Sequence, residues 1–408
     1  MDTVWERARL LRVGWVCCFL LAASSFESNQ MLRGENTPGD GTVTLELADQ
    51  EDVYISGEEG YHTYRIPSLI VAADGSLLAF CEGRKHGRGD SGDIDLLVKR
   101  WDPTEKAWTR QSIVWDDGPN TCGNPCPVLD RQTGIIWLWM THNLGEDREP
   151  EIVARKSRGT RTVWLTCSTD HGRTWSSPID MTERVKLKNW TWYATGPGCG
   201  IQTRSGRLII PCDHIDDAGN WGSHVLYSDD HGQTWHLGGS VGPQTNECEV
   251  VELADGRLLL NMRNYNRKFP CRAVAESHDG GLTWSAVRYD TTLVEPVCQA
   301  SIRRIEGLSF DGQPLIAFSN PADARERKKL TVRVSADSCQ SWPWSLEVWS
   351  GPAAYSCLAS PRDGTVLVLY ERGNTHPYER ISLARIVVKV ASAPKKSSGA
   401  TSSGKIGN

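Results

Sequence analysis

The sequence predicts an all-β fold of repeated four-stranded blades, a β-propeller, on three observations. A Ser-x-Asp-x-Gly-x-Thr-Trp octapeptide stands at residues 168–175 (STDHGRTW) and 228–235 (SDDHGQTW), with a third copy at 277–284 (SHDGGLTW) and worn copies at 100–108 (RWDPTEKAW) and 335–342 (SADSCQSW). Its aspartates fall at 102, 170, 230, 279 and 337, at intervals of 49 to 68 residues, which suits one blade plus variable loops. Between and beyond the copies the apolar segments are short and rich in β-branched and aromatic residues, and several follow an Asp-Gly or Ser-Gly turn.

In chain order, residues 66–73 and 76–81 flank Asp74-Gly75 and read as a hairpin, followed by an alternating strand at 95–99 and an apolar one at 135–140. Ser205-Gly206 leads into 207–211, and Asp255-Gly256 into 257–262. The run 315–319 stands before the last octapeptide, Asp363-Gly364 opens 365–370, and 381–388 closes the series. No amphipathic helix of three turns stands out. The octapeptide itself reads as a hairpin turn. Asp accepts from backbone N–H groups a few residues on, Gly supplies a positive φ, and Thr-Trp restarts a strand with a large side chain to bury. Turn chemistry explains every specified position, so the boxes are expected to be scaffold; a calcium loop would need more carboxylates and a terminal bidentate Glu.

A propeller of five or six blades uses nearly all of the 408 residues as one domain. A net charge of −5 without a basic stripe argues against nucleic acid or an anionic membrane surface as partner. Arg7, Arg9 and Arg12 precede an apolar run at 13–23 and the small residues Ser24 and Ser25, the pattern of a secretory signal peptide. Residues 1–25 are therefore expected to be a leader, 26–44 a linker, 45–390 the propeller and 391–408, rich in Ser, Gly and Lys, a flexible tail. The expected location is secreted, periplasmic or lumenal, without membrane insertion once the leader is removed. Thirteen cysteines, two of them in the leader, show no metal-ligand spacing; Cys122 and Cys126 are close enough in sequence to pair. Asn189-Trp190-Thr191 is an N-glycosylation sequon.

Three arginines stand where composition alone does not put them: Arg65 in Tyr64-Arg65-Ile66-Pro67, Arg263 in Asn261-Met262-Arg263, and Arg327 in Arg325-Glu326-Arg327-Lys328-Lys329. Arg65 and Arg263 abut buried-type strands, where a guanidinium needs an anion because it cannot shed its proton. Structural carboxylates would serve as well as a ligand. Together with the boxes, Asn246-Glu247-Cys248-Glu249 and Ala353-Ala354-Tyr355-Ser356-Cys357, the Tyr-Arg-Ile-Pro segment resembles the exo-α-sialidase (neuraminidase) superfamily, in the branch of secreted bacterial and animal enzymes, over roughly residues 50–390.

The resemblance implies a six-bladed propeller with its site on the central axis, where Arg65, Arg263 and Arg327 grip the substrate carboxylate; Arg325, two residues from Arg327, is the rival for the third. It implies Asp90, in the loop 88–96, as the acid/base residue, with Asp93 its rival and Asp95 structural. Glu247 is implied as general base and Tyr355 as nucleophile. Alternation leaves Glu247 and Glu249 on one strand face, so pattern alone does not choose between them. Tyrosine has a logic here: a carboxylate nucleophile would approach an anomeric carbon that already bears a carboxylate, whereas a neutral phenol avoids that repulsion. Glu371 is implied to hold Arg65, and Arg84 and Glu82 to flank the carboxylate site. Asn124 and the segment 192–198 are implied to face the N-acyl and glycerol groups, with Trp190, Trp192 and Trp221 either stacking on sugar or packing.

The expected function is retaining hydrolysis of terminal α-linked sialic acid from glycoproteins, glycolipids and oligosaccharides, as in ganglioside and oligosaccharide catabolism. No cofactor or catalytic metal is implied, and the partner is a sialylated glycan. The alternatives are a non-catalytic glycan-binding propeller and a trans-sialidase.

Overall fold

The computed structural model describes residues 41–391, and the leader, most of the linker and nearly all of the tail expected from the sequence lie outside them. Strand β1 (Thr42–Ile55) begins three residues before the expected start of the propeller. The remaining strands form consecutive antiparallel blades. Blade I holds β2 (Thr63–Val71), β3 (Leu77–Arg84) and β4 (Ile94–Asp102), with the short β5 (Ala107–Trp108) and β6 (Ser112–Trp115) on its outer edge. Blade II holds β7 (Thr121–Leu129), β8 (Ile136–Asn143), β9 (Thr162–Ser168) and β10 (Ile179–Asp180). In blade III, β11 (Trp190–Thr195) and β12 (Ile201–Gln202) share the inner position beside β13 (Leu208–Asp216), followed by β14 (Trp221–Ser228) and β15 (His236–Val241). Blade IV is β16 (Thr245–Glu252), β17 (Leu258–Asn264), β18 (Cys271–Ser277) and β19 (Arg288–Val294).

The last two blades share a strand. Blade V is β20 (Ser301–Phe310), β21 (Gln313–Pro321), β22 (Lys328–Ser335) and the first half of the sixteen-residue β23 (Trp344–Ala359). The second half of β23 opens blade VI, with β24 (Thr365–Arg372), β25 (Arg380–Ala391) and β1 outermost, so the first described strand completes the last blade. The nine strands expected from sequence all fall on observed strands, and only two helices, α1 (Glu149–Val153) and α2 (Thr182–Val185), occur among the described residues. None is long and apolar enough to cross a membrane.

Each blade is buried on both faces, which is why its strands read as apolar runs rather than strict alternations. Along β3, Leu78 and Phe80 pack toward blade II with Ile136 and Leu138, while Ala79 and Cys81 pack toward blade VI with Leu369 and Leu383. The octapeptide boxes fasten the outer turns of this stack. In the second box Ser228 Oγ donates to Asp230 Oδ1 (2.9 Å), the Gly232 and Thr234 amides donate to Ser228 Oγ and Asp230 Oδ1 (2.8 Å each), and Thr234 Oγ1 donates to Asp230 Oδ2 (2.6 Å). The same net recurs at Asp170, Asp279 and Asp337. Trp175 and Trp235 then reach back onto Phe80 and Trp139 of the preceding blades, at 5.5 and 5.1 Å between ring centroids. The boxes are scaffold. All eleven described cysteines are free thiols, including Cys122 and Cys126, which do not pair.

Candidate active site

Inner strands carry the site because they converge on the axis, and a shared distortion aims their side chains. The pairing register slips between Arg65 and Ser68 in β2, Gly123 and Cys126 in β7, Thr245 and Cys248 in β16, and Ala353 and Ser356 in β23. Such bulges re-aim side chains, and two of them hold non-glycine residues at positive φ, Ile66 at 60° and Asn124 at 53°. For a β-branched residue such as Ile66 that conformation is strained. Glu371 offsets the strain: its fully buried carboxylate accepts from Ile66 N (2.9 Å), Tyr355 N (3.0 Å), Arg65 Nε (3.1 Å) and Arg65 Nη2 (3.3 Å).

Tyr355 lies at the centre. Its hydroxyl donates to Glu247 Oε1 (2.6 Å), and Arg263 Nη1 donates both to Glu247 Oε2 (2.7 Å) and to the Tyr355 oxygen (3.0 Å). The guanidiniums of Arg65 and Arg327 lie 5.0 and 5.6 Å from the Tyr355 ring centroid. Burial pushes the Tyr355 phenol well above its ordinary value, reinforced by Glu247 and opposed by the arginines. It is a neutral phenol with a carboxylate poised to take its proton.

Arg327, not Arg325, turns toward the axis. It donates to Tyr378 Oη (2.9 Å) and Val297 O (3.2 Å) and meets no carboxylate among the described residues, whereas Arg325 is exposed. Glu249 is likewise separated from Glu247: it is fully buried one layer deeper, accepting from Ser301 Oγ (2.7 Å), Ile302 N (2.9 Å) and Cys199 N (3.1 Å).

Asp90 reaches in from the loop after β3. Arg84 Nη1 contacts its Oδ1 at 2.7 Å and Arg65 Nη1 at 3.3 Å, yet its side chain is 71% exposed and open to a ligand. Desolvation pushes this carboxyl upward, but Arg84 and Arg65 outweigh it and hold the group below the usual carboxylate range. Asp93 turns away to Lys85 (2.8 Å), and Asp95 is buried between Tyr61 Oη (2.5 Å) and Lys85 (3.1 Å). Glu82 binds Arg84 Nη2 (2.6 Å) and accepts from Asn124 N (3.0 Å); a Cβ on Gly123 would collide with this carboxylate, so only glycine lets β7 come this close.

Several residues at the site carried no signal that sequence reasoning used. Arg161, buried at the start of β9, donates to Asn124 Oδ1 and Asn143 Oδ1, stacks 4.6 Å from the Trp192 ring centroid and has no carboxylate within ion-pair distance among the described residues. Desolvation pulls its pKa down, and the same cause raises the acids Glu149 and Asp213 on the same side of the site. Tyr378 lies 3.9 Å from the Arg65 guanidinium. Of the tryptophans, Trp190 packs on His214 (3.8 Å), while Trp221 lies beside Tyr265 (4.6 Å), which in turn faces Arg263 (5.0 Å). Among the described residues no three His, Cys, Asp or Glu side chains converge as metal ligands would.

A six-bladed propeller with one buried arginine and two half-buried ones around a tyrosine–glutamate pair fits the class that the sequence resembles, and comparison with known proteins agrees. The BNR repeat-like domain family matches residues 75–368. A sialidase of Micromonospora viridifaciens is 34% identical over 380 residues, covering 87% of this chain and 56% of that protein. An exo-alpha-sialidase of Aspergillus fumigatus is 32% identical over 297 residues, covering 68% of this chain and 69% of its own. Among solved structures, the Hadza microbial sialidase Hz136 superposes with a TM-score of 0.74 at 31% identity, covering 84% of this chain and 68% of that one. The chain belongs to the sialidase family. It spans little more than half the length of the Micromonospora relative.

Proposed function

We propose that the protein is an exo-α-sialidase that hydrolyses terminal α-linked sialic acid from glycoconjugates with retention of configuration. The observation that carries this reading is the Tyr355–Glu247 hydrogen bond of 2.6 Å set among Arg65, Arg263 and Arg327. Three guanidiniums suit one carboxylate, because paired N–H donors fix its orientation as well as its charge. Arg327, which meets no carboxylate among the described residues, is the strongest candidate to take a ligand carboxylate; Arg65 and Arg263 are held ready by Glu371 and Glu247.

In the proposed reaction, Tyr355 Oη bonds to the anomeric carbon as its proton passes to Glu247, and the glycosidic C–O bond breaks as Asp90 protonates the departing oxygen. Water then attacks the tyrosyl intermediate, giving a proton to Asp90, while Glu247 returns its proton to the tyrosine. An acid must be protonated to act, and in the free protein Arg84 and Arg65 disfavour that. The substrate carboxylate counters part of this: by drawing Arg65 to itself it weakens the Arg65–Asp90 contact and raises the acid's pKa as the complex forms, while Arg84 keeps its own contact with Asp90. A glycan-binding propeller would have no use for the phenol–carboxylate pair.

The test is release of 4-methylumbelliferone from its α-sialoside, comparing the intact protein with Tyr355→Phe. Turnover in the parent that is lost in a folded Tyr355→Phe supports the reading. A folded parent without turnover, or full turnover in the variant, overturns it.

A further inference from the structure

The propeller axis has a second mouth. The site at Tyr355 lies at one end of the inner strands; Val71, Leu129, Gln202, Glu252, Arg304 and Ala359, further along them, help to enclose a recess of about 820 Å³ at the opposite end. A buried layer closes the axis between them. Ser68 Oγ donates to Gly198 O (2.9 Å), Cys199 Sγ lies 3.6 Å from Cys357 Sγ, and Glu249 is fixed by its three donors. A ligand at one mouth therefore does not reach the other.

This recess is lined by five arginines, Arg131, Arg204, Arg303, Arg304 and Arg362, against two acids, Glu252 and Glu306. In a chain with a net charge of −5 that local excess is not a consequence of composition. Among the described residues only Arg204 makes an ion pair at this mouth, with Glu252 at 3.3 Å, while the buried Glu249 acts on Arg303 from the layer beneath. Arg131 donates to Gln202 O (2.9 Å) and Thr203 O (3.1 Å), and Arg303 to Gly200 O (3.0 Å), so both cations are positioned by backbone carbonyls and keep their charge. Arg304 and Arg362 make no side-chain hydrogen bond or ion pair among the described residues. Among the described residues Arg131, Arg304 and Arg362 thus share a concave space, beside Arg303, with one unpaired carboxylate, Glu306. The size is that of a small-molecule site, and walls of low dielectric focus the field of the arginines into it.

We propose that this second mouth binds a small polyanion carrying two or more phosphate or sulfate groups, in a site separate from that at Tyr355. Guanidinium forks match tetrahedral oxyanions two oxygens at a time, and a single anionic group would leave most of these charges unmatched. The proposal does not depend on the sialidase reading.

The experiment is titration calorimetry of the full chain at low ionic strength with tripolyphosphate as the phosphate probe and sucrose octasulfate as the sulfated-sugar probe. The parent is expected to bind one equivalent of at least one probe, and whichever binds more tightly names the source of the anion. Arg304→Gln/Arg362→Gln removes two cations without described partners, so its melting temperature should match the parent's while its affinity falls at least about tenfold. Arg327→Gln, at the other mouth, should bind the probe as the parent does. The proposal is overturned if neither probe binds the parent at ~1 mM, a range where even weak sites are occupied. Equal binding by the double variant, or loss of binding in Arg327→Gln, overturns it as well.

Discussion

Replacing Glu371 by Gln keeps the shape of the side chain and removes its charge at the point where the strained strand, Tyr355 and an arginine meet. Four donors converge on that carboxylate, from Ile66 N, Tyr355 N and two nitrogens of Arg65, and the residue has no exposure to water. In the variant one acceptor oxygen becomes an NH2 that faces donors, and Arg65, itself only 5% exposed, loses its buried counter-ion. Breaking one side of a buried pair costs about 3–5 kcal/mol. Arg65 keeps Asp90 at 3.3 Å, but that carboxylate is largely exposed and screened, so the expected cost is about 3 kcal/mol, the lower end. With roughly 350 folded residues and about 2.1 cal/mol/K of unfolding entropy per residue, this lowers Tm by about 4 °C. Because the same contacts set the positions of Arg65 and Tyr355, kcat/KM should fall at least about tenfold. Calorimetric melting with sialoside kinetics on the same sample reads both. A Tm within about 1 °C of the parent, with unchanged kcat/KM, would refute the reasoning.

Other outcomes follow from single contacts. Arg327→Ala leaves no buried carboxylate behind, so Tm should hold while a carboxylate-bearing inhibitor binds about 10–100-fold more weakly, the worth of a charged hydrogen bond; unchanged inhibition contradicts its role. Arg84→Gln removes a charge that favours ionised Asp90, so the acid stays protonated to higher pH and the alkaline limb of kcat/KM moves up; a limb that stays or moves down contradicts Asp90 as the acid. Asp230 is held at about 2, chiefly by the Thr234 hydroxyl and amide. Its folded value lies below its unfolded one, so its contribution is complete above about pH 5 and fades as pH falls through about 4 toward 2. Asp230→Asn should therefore make stability less dependent on pH in that window, read by urea unfolding at several pH values.

The parts legible in the sequence are those whose meaning is local. An octapeptide in which Asp, Gly and Trp each perform turn chemistry announces the blades, and the Asp-Gly turns announce the hairpins. Arg65 was legible because a guanidinium beside an apolar strand needs an explanation. Choices that depend on depth along the axis were not legible: Glu247 and Glu249 share a strand face, and only the bulge after Thr245 and the layer each acid occupies distinguish them. Arg325 and Arg327 stand two residues apart in one loop, and only Arg327 turns inward. Arg161, Glu149, Asp213 and Tyr378 gave no signal, since each sits in an ordinary loop, helix start or strand and reaches the site only through the fold. The arginines of the second mouth were equally silent, because their significance is the space they share.

The central claim is that Tyr355, deprotonated by Glu247, forms a bond to the sugar. The most direct measurement is intact-mass and peptide mass spectrometry after incubation with a 2,3-difluoro-sialic acid, whose fluorine slows breakdown of a glycosyl intermediate. The account predicts one sugar adduct per chain, located on Tyr355 and absent from Tyr355→Phe. Full turnover of the sialoside with no adduct, or an adduct on Asp90 or Glu247, would contradict it.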